Sequence, residues 1–366
     1  MNFPELNING LVSRIPVIQG GMGVGISLAG LASAVANEGG IGVIATAMIG
    51  ISEPDAAADP AGTDIRVLRH ELRKARSLTG GIIGLNIMVA LTNFAHLVRT
   101  GIEEGVDIIF SGAGLPMDLP GYLPRDAKTK LAPIISSARA ATLICKRWMA
   151  KYNRFPDAFV VEGPKAGGHL GFKEEQLEHP DFALEKLIIE VVAAVKPLAA
   201  QKNTTIPIIA AGGIYTGQDI RAIMALGASG VQMGTRFAVT VECDAAQAFK
   251  EALLNARQED LIIIKSPVGM PGRAVRNRFL DEVQKGKKTP INCPYHCVKT
   301  CLQAKSPYCI ALALVGAKNG KFHNGFAFAG SNAYRVNEIL SVKTLIGSLQ
   351  REFSMACATE EYSAPN

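Results

Sequence analysis

The sequence predicts an α/β fold: a (β/α)8 barrel followed by a C-terminal, Cys-containing and mainly helical extension. Three observations carry the prediction. Eight short apolar runs alternate with longer segments of helical periodicity, and their span of about 240 residues is the size such a barrel needs. The runs are β-branched and apolar throughout rather than alternating, as strands covered on both faces by helices must be. Finally, many of the 37 glycines in this 366-residue chain gather at the ends of the runs, where a barrel places its ligand loops.

The runs are, in order, 15–19, 41–45, 82–87, 106–110, 131–136, 158–162, 206–211 and 230–233. Helical segments are read at 27–37, 64–76, 138–151, 182–199, 217–226 and 244–256. The segment 138–151 has no Pro or Gly and sets Leu143, Ile144, Trp148 and Met149 at 3–4 spacing. Thr216 is an N-cap type before 217–226, and Gly227 stands where a C-terminal glycine closes a helix. The link 111–130 is rich in Gly and Pro and leaves room only for a short helix. Barrel and extension divide as 1–258 and 259–366. The extension holds a Gly/Pro loop at 266–273, a Cys-rich stretch and a last helix over 336–349.

Composition narrows the function classes. Hydrophobic residues are 48% of the chain and charged residues 19%, which excludes a disordered chain. The net charge of +6 is scattered, and aromatics are only 6%, so no nucleic-acid surface is indicated. The densest basic run, Lys285, Lys287 and Lys288, reads as a solvated loop. Residues 1–10 lack a secretory pattern, and the apolar stretch 39–51 is too short and Gly-rich to span a bilayer. With seven cysteines, an odd number, the expectation is a reduced, cytoplasmic protein with no membrane partner.

Five run ends carry the candidate site. The first ends in Gly20-Gly21-Met22-Gly23, the fourth in Ser111-Gly112-Ala113-Gly114, and the sixth in Glu162-Gly163, then Gly167-Gly168-His169. The seventh ends in Gly212-Gly213 and the eighth in Gly234-Thr235. Gly-rich turns after the last two strands of a barrel expose backbone N–H groups, so Gly212, Gly213, Gly234 and Thr235 are assigned to a ligand phosphate. A dinucleotide fingerprint fails, because Ile26 and Leu28 occupy its third glycine from either possible start. A histidine ordinarily titrates near neutrality, and His169 stands in a Gly-rich loop at a strand end, so it is the acid/base candidate. Cys293, Cys297, Cys301 and Cys309 fall within 17 positions, the first three recurring every four. On a helix those three would share a face and could hold a metal or an iron–sulfur cluster, although the spacing is neither the usual zinc pair nor a ferredoxin run.

These motifs, together with Gly84-Leu85-Asn86-Ile87-Met88 and Ala166-Gly167-Gly168-His169-Leu170-Gly171, resemble the nitronate monooxygenase group. That group includes the older 2-nitropropane dioxygenases and the FMN-dependent enoyl-ACP reductases of type II. The resemblance implies an FMN barrel. Phosphate would sit on the strand-seven and strand-eight loops, the ring near Gly20, Gly21, Met22, Gly23 and Asn86, with Glu162 and Gly168 adjoining and His169 at the substrate. It implies a small-molecule substrate: a nitronate oxidised with dioxygen, or an enoyl thioester or quinone reduced with NAD(P)H as co-substrate. The Cys-rich stretch is outside the group's usual pattern. A homodimer is a further expectation, and a barrel binding a phosphorylated ligand without redox chemistry is the alternative from another class.

Overall fold

Eight apolar strands too short to make a wide open sheet bury both faces by closing on themselves. The computed structural model describes residues 2–287, 293–303 and 306–363. Its barrel strands are Val17–Gln19, Ile41–Ala45, Ile82–Met88, Ile108–Gly112, Lys130–Ile135, Phe159–Glu162, Ile208–Ala211 and Gly230–Met233. Each is parallel to the next, and the eighth pairs with the first through Val231 and Val17, so the sheet has no edge. All eight runs are strands.

Period-two geometry splits each strand between two cores. Ile18, Val43, Phe110, Val160 and Ile209 meet inside the barrel. Val17, Ile44, Leu85, Ile109, Val161 and Val231 face outward, under the helices. A short hairpin, Leu6–Ile8 with Leu11–Ser13, pushes Leu6 and Ile8 into the inner cluster and closes the N-terminal end. The open end is therefore the other one.

The helices begin where local chemistry lets them. Asp59 accepts from the Gly62 N–H ahead of Pro60, which starts the Pro60–Leu78 helix four residues before the expected 64. Ser137 caps Ala138–Tyr152, and Thr216 with Asp219 forms a capping box on Gly217–Ala225. The link 111–130 holds only a short turn of 3-10 helix, Leu119–Tyr122. The helices Phe94–Glu103, Thr235–Ala238, Arg278–Gln284 and Ile310–Lys318 are absent from the sequence reading, and the first shows why. Phe94–Glu103 contains Val98, Thr100 and Gly101, poor helix formers, and is sustained by burying Phe94, Leu97 and Val98 against the barrel.

The extension opens with strands rather than helix. Leu261–Lys265 and Pro271–Val275 form an antiparallel hairpin, so the expected loop 266–273 shrinks to its turn, with Pro271 at a strand start where a missing N–H is tolerated. Gly168–His169 adds a third strand to it. The last helix is Val342–Ser363, later than 336–349, because Leu340 is held extended beside Thr240 and the Ser341 hydroxyl accepts from the Thr344 N–H. Lys285 and Lys287 are exposed, and Lys288 lies outside the described residues. Among those residues no helix is long and apolar enough to cross a membrane.

Candidate active site

At the open end lies a cavity of about 280 Å³. Met22, Met48, Met88, Leu91, Ile310, Leu314 and Phe328 make most of its wall apolar, and no Asp, Glu, Lys or Arg lines it. Asn86, His169, Thr235 and Thr300 supply its few polar side chains, with bare backbone from Gly23, Gly167, Gly168, Gly234 and Gly330. This is the composition of a pocket for a largely apolar ligand held in place by a few polar contacts.

His169 is positioned by the hairpin. Gly168 and His169 pair with Arg273 and Gly272 across the added strand, and the Leu170 N–H donates to the Pro271 carbonyl at 2.9 Å. The Arg273 guanidinium, itself buried, donates to the carbonyls of Pro164 at 2.6 Å and Ala166 at 2.9 Å. It thereby fixes the turn leading to His169. Nε2 of His169 lies 2.7 Å from Ser266 Oγ, and the ring meets the Phe328 edge at 5.0 Å between centroids. Burial without a neighbouring carboxylate pushes the imidazole down to about 4, so it is uncharged at neutral pH.

The first-strand glycines serve clearance. A Cβ on Gly21 would stand 2.2 Å from the Asn86 Cβ, so only Gly allows Asn86 to approach. The Asn86 carbonyl accepts from the Thr46 N–H at 3.1 Å and its hydroxyl at 2.9 Å, which fixes the strand-three end. Gly20 is tied to strand eight by its N–H to the Met233 carbonyl at 2.9 Å. Gln19, also at this end, binds backbone on both sides, to Val43 and Gly20, and has a structural role.

Of the sequence candidates, Met22, Gly23, Asn86, Gly168, His169, Gly234 and Thr235 line the cavity together. Gly20 and Gly21 stand behind that wall. Gly212 and Gly213, both left-handed at φ 96° and 84°, pack against Ala166 and Lys165 of the His169 loop. Glu162 is half-buried at the strand-six end, where burial pushes its carboxyl up to about 7.

Sequence reasoning missed Phe328 and the turn 330–332 as site builders. The Gly330 N–H donates to Thr235 Oγ1 at 3.0 Å, the Ser331 N–H to the Lys165 carbonyl at 3.1 Å, and Asn332 Nδ2 to the Gly213 carbonyl at 2.6 Å. The turn thus stitches together the loops after strands six, seven and eight. The one sequence signal for it is the Gly-Ser-Asn run itself, a turn composition. Ser266 and Arg273 belong to the loop 266–273, which the sequence offers, together with the loop 115–130, as a builder of the substrate groove; 115–130 does not line the cavity. Instead, the Pro116 carbonyl accepts from Trp148 Nε1, and Asp118 binds Lys151 and Tyr152.

The cysteines correct an expectation. Cys293, Cys297 and Cys301 are not on a helix face; the chain there is irregular, with Pro294 lacking an N–H and His296 in the left-handed region at φ 45°. Cys309 is the N-cap residue of the helix Ile310–Lys318. Even so, all four line one small cavity of about 210 Å³, beside the larger one. Burial pushes the Cys297 thiol up to about 12, with Cys309, Cys293 and Cys301 adding to the effect. Among the described residues no group of three or more His, Cys, Asp or Glu is arranged to hold a metal ion.

Known proteins share this architecture. The family model "Nitronate monooxygenase" matches residues 7–352. A "(3aS,4S,5R,7aS)-5-hydroxy-7a-methyl-1-oxo-octahydro-1H-indene-4-carboxyl-CoA dehydrogenase" of Mycobacterium tuberculosis is 30% identical over 273 residues, which are 75% of this chain and 66% of that protein. A "Probable nitronate monooxygenase" of Staphylococcus aureus is 27% identical over 73% of this chain and 77% of its own length. The solved structure of FabK from Thermotoga maritima superposes with a TM-score of 0.73 at 27% identity, covering 95% of this chain and 96% of that one. With a family match over nearly its whole length, on a closed barrel whose mouth holds His169 and the strand-end glycines, the chain belongs to the nitronate monooxygenase family of flavin-type oxidoreductases.

Proposed function

We propose that the chain is an FMN-dependent oxidoreductase that oxidises alkyl nitronates with dioxygen, with His169 as its acid/base residue. The observation that carries this reading is an uncharged imidazole at the wall of an apolar cavity free of charged side chains. A ring with its pKa near 4 is uncharged at neutral pH, so one ring nitrogen keeps its lone pair free to face a substrate proton. His169 Nε2 is paired with Ser266 Oγ at 2.7 Å; in the tautomer that donates Nε2–H to that hydroxyl, Nδ1 keeps the lone pair that would remove a Cα proton from a nitroalkane, which leaves the nitronate. The apolar wall takes the alkyl part and excludes water.

The residues present fit a flavin. Gly23, Gly168 and Gly234 keep backbone bare beside a cavity with few polar side chains, as a flat ring requires. Met22, Gly20, Gly21, Gly23 and Asn86 would hold the ring, Gly212, Gly213, Gly234 and Thr235 the phosphate, and Glu162 and Gly168 the part between. Bound FMN supplies a two-electron acceptor that dioxygen reoxidises.

A second reading is supported by the apolar Val298, Ile310 and Leu314, which the extension adds to the wall. They extend the apolar wall that would contact a longer acyl or quinone substrate reduced at the expense of NAD(P)H. The test uses His169→Asn. The variant is expected to retain FMN and lose turnover of a nitroalkane or its nitronate at least about 100-fold, the usual worth of a positioned acid/base group. Unchanged kcat/KM refutes the role. Rapid anaerobic bleaching of the flavin by NADH or NADPH selects the second reading, and a purified protein without flavin absorbance removes both.

A further inference from the structure

We propose that Cys293, Cys297, Cys301 and Cys309 bind a [4Fe–4S] cluster on the wall of the cofactor cavity. Four thiols from separate turns of irregular chain converge on one cavity of about 210 Å³. Each of the four cysteines is half-buried, and none is in a disulfide. The other three cysteines of the chain, Cys145, Cys243 and Cys357, are buried elsewhere and line neither cavity. Convergence of these four is therefore a property of this segment, not of cysteine burial in general.

The segment is docked rather than loose. Thr92 N–H donates to the Cys297 carbonyl at 3.1 Å, and Lys299 N–H donates to the Ala90 carbonyl at 2.9 Å. Lys299 Nζ reaches the Val89 carbonyl at 3.1 Å. These bonds pin the cysteine loop to the segment that follows Asn86 and Met88. As a result Cys297, Val298 and Ile310 line both cavities, so the cysteine cavity adjoins the cofactor pocket.

Geometry separates a cluster from a single ion. A tetrahedral zinc with Zn–S near 2.3 Å draws its sulfurs to roughly 4 Å apart, so its ligands converge on a point. Among the described residues no three such groups are drawn together as ligands of a single ion, whereas the four cysteines line one common cavity. A cubane fills that space because each iron takes one thiolate at a separate corner. Uptake of a preformed [4Fe–4S]2+ unit breaks four S–H bonds, forms four S–Fe bonds and releases four protons, with no change in electron count. Lys299 beside the cavity offsets part of the resulting negative charge.

The full chain, purified anaerobically, is expected to carry about four iron and about four acid-labile sulfide per chain, and to give the paramagnetic signal of a one-electron-reduced cluster after dithionite. Cys293→Ser and Cys301→Ser are expected to lose more than half of the iron while keeping FMN and an unchanged far-ultraviolet spectrum. Cys357→Ser is expected to keep the iron. Stoichiometric zinc without iron, absence of iron, sulfide and zinc, or iron that survives both Ser substitutions each overturns the proposal. Iron and sulfide in a protein without flavin would leave the cluster standing and remove the proposed reaction.

Discussion

The buried imidazole makes a quantitative prediction. The His169 ring has an ordinary pKa of 6.5 and is held at about 4 by burial in the folded protein. The unfolded chain therefore binds the extra proton first. Stability linked to this group is complete above pH 6.5 and is lost as pH falls toward 4. At pH 4 the unfolded ring is nearly all charged and the folded ring about half charged, so the loss is about 3 kcal/mol relative to pH 8. His169→Gln removes the titration but keeps a polar group of similar reach. Urea unfolding from pH 8 to pH 4 measures both proteins; the chain's single tryptophan, Trp148, is fully buried and reports the transition. The wild type should lose about 3 kcal/mol more than the variant over that range, with most of the divergence between pH 6 and pH 4. Parallel curves would refute the argument, because they would mean that the ring stays hydrated and free to charge in the folded state.

Two other perturbations test the architecture of the site. Gly21→Ala sets a methyl 2.2 Å from the Asn86 Cβ, a rigid atom near the backbone. It is expected to cost about 1–3 kcal/mol and to lower flavin content at least tenfold, read by thermal melting and by flavin per chain. Arg273→Lys keeps the charge but loses the planar guanidinium whose Nη1 donates to both the Pro164 and Ala166 carbonyls. It is expected to destabilise the protein by about 2 kcal/mol and to speed amide exchange at 166–170, whereas unchanged exchange would show that the turn holds itself.

Much of the barrel was legible because its signal is local and repeated. Strands buried on both faces must be short apolar runs, and all eight were visible as such. Thr216 and Asp219 announce their helix in four residues. Phe94–Glu103 was hidden because its stability comes from the barrel wall and not from its own residues. The hairpin Leu261–Lys265 with Pro271–Val275 was hidden because Gly269, Pro271 and Gly272 read as loop. The Cys-x3-Cys-x3-Cys spacing suggests a helix face, but Pro294 and the left-handed His296 bend the chain into a loop that gathers all four thiols.

The sequence by itself determined the fold class, the order of the strands and the end of the barrel where ligand loops gather, since each follows from periodicity and from where glycine stands. It also singled out His169, Asn86 and Met22, which share one cavity. Only the tertiary structure decided how that site is held. Ser266, Arg273, Phe328 and the turn 330–332 reach the barrel mouth from 97 to 163 positions beyond His169 in the chain. Their partners are backbone carbonyls, the Thr235 hydroxyl and the His169 ring, and nothing in the sequence marks these pairings. The state of the imidazole was decided in the same way, because a pKa depends on what surrounds the ring, and every group that keeps water from His169 arrives from another part of the chain.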